Sequence, residues 1–172
     1  MTLEIKRAAE LVDPELEARW ARRREASHAE VLQHVLRAFI ERPGPVGVEE
    51  ILNAFPDRAP QGIREALATL DEEDLIQVRD GRVDIAYPFS ALPTPFRVEL
   101  AEGRERYACC AIDALGVAPM LGQRVHIQSH CYHCGEALEL WADPAGPAPD
   151  AEGVMVWVGS RGEGQQRIST SL

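Results

Sequence analysis

The run Ile76-Gln77-Val78-Arg79-Asp80-Gly81-Arg82-Val83-Asp84-Ile85-Ala86-Tyr87 leaves this chain little local choice. Apolar and polar residues alternate on both sides of Asp80-Gly81, and Asp-Gly suits a tight turn whose two central residues take positive φ. The expectation is an antiparallel hairpin. Upstream, the period changes to helical. Pro14 opens a short charged helix over 14–26, and Ser27 with Glu30 has capping-box spacing ahead of Val31, Leu32, Val35, Leu36, Phe39 and Ile40. "RPGPVG" breaks that helix. Val48, Ile51, Leu52 and Phe55 mark a second, ended by Pro56, and Ile63, Leu67 and Leu70 share one face of a third. Three helices followed by a hairpin describe a winged helix-turn-helix.

"YPFSALPTPF" (Tyr87–Phe96), with three prolines, marks a boundary. Beyond it, "FRVEL-AEGRE-RYAC" reads as a hairpin. A helix then starts at Cys109-Cys110 and ends at Pro119. "VHIQSHC", "ALELWAD" and "VMVWVG" read as strands. The expected fold class is α+β: residues 1–26 an N-terminal helical extension, 27–88 a winged-helix-like scaffold domain, and 89–172 a mostly β core with one helix.

Net charge bears on partners. The 172 residues carry a formal charge of −10, and the third helix sets Arg64 against Glu65, Asp71, Glu72, Glu73 and Asp74. A surface of that sign repels phosphates, so nucleic acid is not an expected partner. The basic run Arg19–Glu25 reads as a solvated helix face. No apolar stretch is long enough to span a bilayer, and the N-terminus lacks a signal peptide's apolar segment, so the expected location is the cytoplasm. Thiols stay reduced there, and the four cysteines read as ligands, nucleophiles or core.

Two cysteine groups could carry chemistry. Cys110 at a helix start lies near the positive end of the macrodipole, which favours thiolate, and Asp113 follows one turn along. In a partly apolar setting such a carboxyl holds its proton more tightly and can donate it. On spacing alone, a buried cysteine with a capping aspartate is the plainer account. Cys131 and Cys134 form a C-x-x-C before Gly135, like half a zinc knuckle. Zinc is the lesser expectation, because the adjacent pair Cys109-Cys110 chelates poorly. A buried strand Cys131 with a turn Cys134 is the favoured reading. Soft-metal binding by Cys131 or Cys134 together with Cys110 is the remaining one. Cys109 reads as core, and His126, His130 and His133 as exposed or satisfied polar residues.

From "YPFSALPTPFRVEL" through "YACCAIDALGVAPMLGQRVHIQSHC" the chain resembles the organomercurial (alkylmercury) lyases. "CAIDAL", "PMLGQ" and "IQSHC" carry the likeness. The resemblance implies protonolysis of a carbon–mercury bond, with Cys110 as the capturing thiolate and Asp113 as the proton donor. It also implies Cys131 as a structural cysteine, no required cofactor, and mercury(II) as the bound product, passed to cellular thiols or a mercury reductase. The family's second catalytic cysteine falls at about Ser171–Leu172, where "GQQRISTSL" has none. A truncated copy is the favoured explanation, and a divergent relative using another thiol the alternative. Two other functions compete: a metal- or thiol-sensing winged-helix regulator, and a non-catalytic soft-metal-binding relative.

Overall fold

The computed structural model describes residues 5–7, 10 and 28–157. The expected helix over 14–26, the basic run within it, the Ser27 cap and the segment from 158 onward lie outside the described residues. Helix α1 (Ala29–Glu41), strand β1 (Val46–Gly47), helix α2 (Val48–Asn53) and helix α3 (Pro60–Glu72) come first. Strands β2 (Ile76–Arg79), β3 (Arg82–Ala86), β4 (Phe89–Ser90), β5 (Phe96–Glu99) and β6 (Glu105–Ala108) follow. Helix α4 (Ala111–Leu121) precedes β7 (Val125–His130), β8 (Ala137–Asp143) and β9 (Gly146–Pro147).

Local chemistry accounts for these elements. α3 buries Ile63, Ala66, Leu67 and Leu70, a helical stripe, and begins at Pro60, whose missing N–H costs nothing in a first turn. Asp80 and Gly81 both take positive φ (47° and 74°), as the hairpin turn requires. α1 begins after His28 without a side-chain cap, and Glu30 instead pairs with Arg58 at 2.7 Å.

Two expectations fail. α4 does not stop at Pro119 but runs to Leu121, where Gly122 in the left-handed region (φ 64°) closes it. Pro119 is exposed, so the carbonyl it leaves unpaired can meet water. Val154–Trp157 forms no strand; these residues are exposed and irregular.

All nine strands among the described residues join one antiparallel sheet, in the order β1-β3-β4-β6-β5-β7-β8-β9, with β2 also on β3. β1 and β4 share the edge of β3 opposite β2, since β3 pairs with β1 through Arg82 and Val83 and with β4 through Ile85 and Ala86. Two-residue β4 therefore carries the sheet across the proline-rich boundary, pairing Phe89 with Ala108. The core is equally continuous, from Val31 and Phe39 on α1 through Phe89 and Val98 to Val117 on α4 and Ala142 on β8. No helix among the described residues is long and apolar enough to cross a membrane.

Arg106 on β6 ties the two ends of this arrangement together. Only 7% exposed, it has no carboxylate partner in its hydrogen bonds. Its guanidinium donates to the carbonyls of Phe39 (2.6 Å) and Ile40 (2.7 Å) in the last turn of α1, and to that of Glu105 (2.6 Å). The negative end of the helix dipole thus serves as the counter-charge. Arg106→Met should lower unfolding stability in urea by about 3 kcal/mol, because buried carbonyls lose a charged donor. A loss below about 1 kcal/mol would show that water replaces it.

Candidate functional site

Cys110 is the N-cap of α4, in extended backbone (φ −150°, ψ 179°), and Asp113 stands at the third helical position. The Asp113 N–H donates to Cys110 Sγ at 3.4 Å, and the Cys110 thiol donates to Asp113 Oδ2 at 3.0 Å. The Asp113 carboxyl also accepts the backbone N–H of Cys110. This is the geometry of a capping box, with sulfur where a hydroxyl usually stands. The two predicted residues meet, and the capping role of the plainer account is present as well.

Three contacts hold Cys110 in place. The strand before it pairs through Ala108 with both Phe89 and Phe96. The N–H of Cys109 donates to the carbonyl of Pro88 at 3.0 Å. The Thr94 hydroxyl donates to the carbonyl of Ala108 at 2.6 Å. The proline-rich lead-in therefore wraps the end of β6 and fixes the residue that starts the helix.

The expected drift of Cys110 toward thiolate is overturned. Burial, and then the Asp113 carboxylate that accepts its proton, push this thiol up to about 11. The backbone N–H groups of Asp113 and Ile112 pull the other way but are outweighed. Burial also raises Asp113 above the ordinary carboxyl range, against the hydrogen bonds from Cys110. Both shifts favour the protonated forms, and the contact aligns the thiol with the carboxylate.

Cys109 is buried in the core, 6% exposed, and burial raises its thiol strongly. Cys131 is not a buried strand residue: β7 ends at His130, and Cys131 is the part-exposed first residue of the following turn, with Cys134 exposed. The ladder stops there because the chain must turn back into β8. N–H donation from Cys134, then His133, holds the Cys131 thiol below its ordinary range. Among the described residues no three His, Cys, Asp or Glu side chains converge as a metal site. His126 stacks on Trp141 (4.6 Å between ring centres), with Glu99 and Glu139 at 3.5 and 3.8 Å; His130 and His133 are exposed.

One neighbour escaped the sequence reading. The Tyr87 hydroxyl is buried without a hydrogen-bond partner. Burial first, then the charges of Asp74, Cys109, Asp113 and Cys110, raise its pKa. An unpaired buried hydroxyl costs roughly 1–3 kcal/mol. Its only sequence signal is its position at the head of the proline-rich segment.

Residues 89–171 match the family model "Alkylmercury lyase". Over this segment the chain is similar to the alkylmercury lyases. It is 33% identical over 120 residues to an alkylmercury lyase of Staphylococcus epidermidis, covering 70% of this chain and 53% of that one. To an alkylmercury lyase of Streptomyces lividans it is 32% identical, covering 69% and 53%. A crystal structure of the mercury-bound form of MerB2 is similar at a TM-score of 0.55 and 25% identity, over 69% of this chain and 58% of that one. The chain thus spans about half the length of the curated relatives it matches.

The alkylation of Cys110 tests the electrostatics of this site. Its rate with iodoacetamide should rise toward a midpoint near pH 11, from the raised thiol. Asp113→Ala removes both the proton acceptor and the nearby negative charge, and each removal favours thiolate, so the midpoint should fall. Peptide mapping separates Cys110 from the exposed cysteines. An unchanged midpoint in Asp113→Ala would mean the two groups are not coupled.

Proposed function

We propose that the chain cleaves carbon–mercury bonds by protonolysis, with Cys110 capturing the metal and Asp113 delivering the proton. The observation that carries this reading is the 3.0 Å contact from the Cys110 thiol to Asp113 Oδ2, within the segment that matches the alkylmercury lyase model. A thiolate is the soft ligand a soft metal prefers. As mercury approaches, it displaces the thiol proton, because only the thiolate binds metal. That proton passes to Asp113, the acceptor already in contact. The steps balance: R–Hg–X, the Cys110 thiol and the Asp113 carboxylate give Cys110–S–Hg–R, X⁻ and protonated Asp113.

A second thiolate then joins the mercury and adds electron density, weakening its bond to carbon. Carbon departs with the bonding pair and takes the proton from Asp113, leaving R–H, the carboxylate, and mercury(II) between two sulfurs. Burial makes the protonated form of Asp113 accessible, which suits a general acid. A small cellular thiol can supply the second sulfur and, with a mercury reductase, serve as acceptor for the ion. Such chemistry needs reduced thiols, as in the cytoplasm. In this reading the helices and hairpin over 28–88 act as a winged-helix-like scaffold. A DNA-binding role is not favoured, since Arg64 and Arg58 of that part are paired with Glu49 and Glu30, both at 2.7 Å.

The test is phenylmercury with excess small thiol, with benzene measured by gas chromatography. The chain should release benzene, and Cys110→Ser should release none. Asp113→Ala should still hold phenylmercury but release benzene about 10²–10⁴-fold more slowly. Benzene release by Asp113→Ala at the parent rate, or none from the parent chain, overturns the proposal.

A further inference from the structure

A second pair of thiols lies outside this site. β7 ends at His130 and β8 begins at Ala137, and the connection reads Cys131-Tyr132-His133-Cys134-Gly135-Glu136. The Cys131 N–H donates to the Glu136 carbonyl at 2.7 Å, one rung beyond the His130–Ala137 pair. The Gly135 N–H donates back to the Cys131 carbonyl at 2.8 Å, with Gly135 at φ 74°. A chain folded back over one such turn brings the first and fourth side chains to the same side. The Cys131 sulfur accepts the N–H groups of Cys134 and His133, and the Cys134 thiol as well. Neither cysteine is in a disulfide, and both reach solvent.

This arrangement serves no core. A closed tetrahedral zinc site needs four ligands, and no third metal-binding side chain joins the pair among the described residues. Two adjacent sulfurs with backbone donors on one of them, and nothing further, suit a soft cation content with two ligands. Cys109 is sealed in the core, so Cys131 and Cys134 are the reachable thiols besides Cys110.

We propose that Cys131 and Cys134 form a two-thiolate site of their own for a soft two-coordinate cation, mercury(II) in this family's chemistry. The choice of mercury rests on the lyase reading; the pairing of the sulfurs does not. Loading is ligand exchange without oxidation or reduction: Hg(SR)₂ and the two protein thiolates give the Cys131–S–Hg–S–Cys134 bridge and two RS⁻. The two sulfurs share one turn, so the second bond forms within the molecule and outcompetes single thiols. Placement fits a supply from the first site. β6 and β7 flank β5, which pairs antiparallel with each, so both strands leave the sheet at the same end. Their ends are about 10 Å apart at two strand spacings.

The experiment uses the full chain carrying Cys110→Ser, reduced, and given one equivalent of mercuric chloride with an equimolar competing monothiol. Native mass spectrometry after gel filtration reads mercury per chain. One mercury per chain is expected. Adding Cys134→Ser, or separately Cys131→Ser, should lower retention at least tenfold, with circular dichroism showing the fold intact. No mercury on Cys110→Ser, or retention that survives either second substitution, overturns the proposal. So does tight retention of zinc(II) with doubling of the chain mass, which marks a four-ligand site between two copies. Benzene release from the unsubstituted chain is a separate readout, so failure of the lyase reading is distinguishable from failure of this site.

Discussion

A guanidinium buried without a carboxylate governs this structure. Removing a cation from water costs several kcal/mol unless its donors are satisfied, and Arg106 satisfies them on carbonyls at the end of α1 and on its own strand. The consequence is geometric. α1 and β6 cannot slide relative to one another without stranding that charge, and α1 has no basic residue of its own in its last turn. β6 is also the strand whose next residues are Cys109 and Cys110. The first helix among the described residues therefore helps to fix the cysteine about seventy positions later, which joins the helical part of the fold to the Cys110–Asp113 pair.

At the end of that strand two opposing effects act on one sulfur. The helix start and its N–H groups favour thiolate; burial and the adjacent carboxylate favour thiol. Burial prevails, since Cys110 is pushed up to about 11. The helix would be capped at least as well by a hydroxyl, because serine leads the N-cap preferences and the N–H to sulfur contact is long at 3.4 Å. Helix stability thus explains the Cys-x-x-Asp spacing but not the choice of sulfur. In the protonolysis we propose, a resting thiol has a use that a resting thiolate lacks: it carries the proton that is later delivered to carbon.

What the sequence discloses follows from how local each signal is. The hairpin at Asp80-Gly81 and the stripe of Ile63, Leu67 and Leu70 are written in neighbouring residues and are legible. The Cys110–Asp113 pair is legible for the same reason, since one helical turn brings the two together. β1 and β4 are not, because two residues show no period and owe their strand form to partners far along the chain. Arg106 looks like any charged residue in Glu105-Arg106-Tyr107-Ala108; only the presence of the α1 terminus makes its burial possible. Pro119 reads as a stop, yet Gly122 is where the backbone can turn left-handed. Cys131 reads as a continuation of Val125, Ile127 and Ser129, but the return into β8 ends the ladder one residue earlier.

Topology then explains a distribution that spacing along the chain conceals. Antiparallel neighbours place alternate strand ends at one edge of the sheet, and β6 and β7 are such alternates. Both cysteine pairs follow those two strands directly, so all four thiols of the chain emerge at one end. Their surroundings are graded: Cys109 is sealed and holds its proton, Cys110 is half-buried and shares its proton with Asp113, and Cys131 meets solvent with N–H donors on its sulfur. A metal held by sulfur moves by exchange between thiolates, and exchange is faster where the incoming thiol is already ionised. The gradient runs from the protected sulfur outward, so under the proposed function a soft ion captured at Cys110 would meet progressively more available thiolate as it approached solvent.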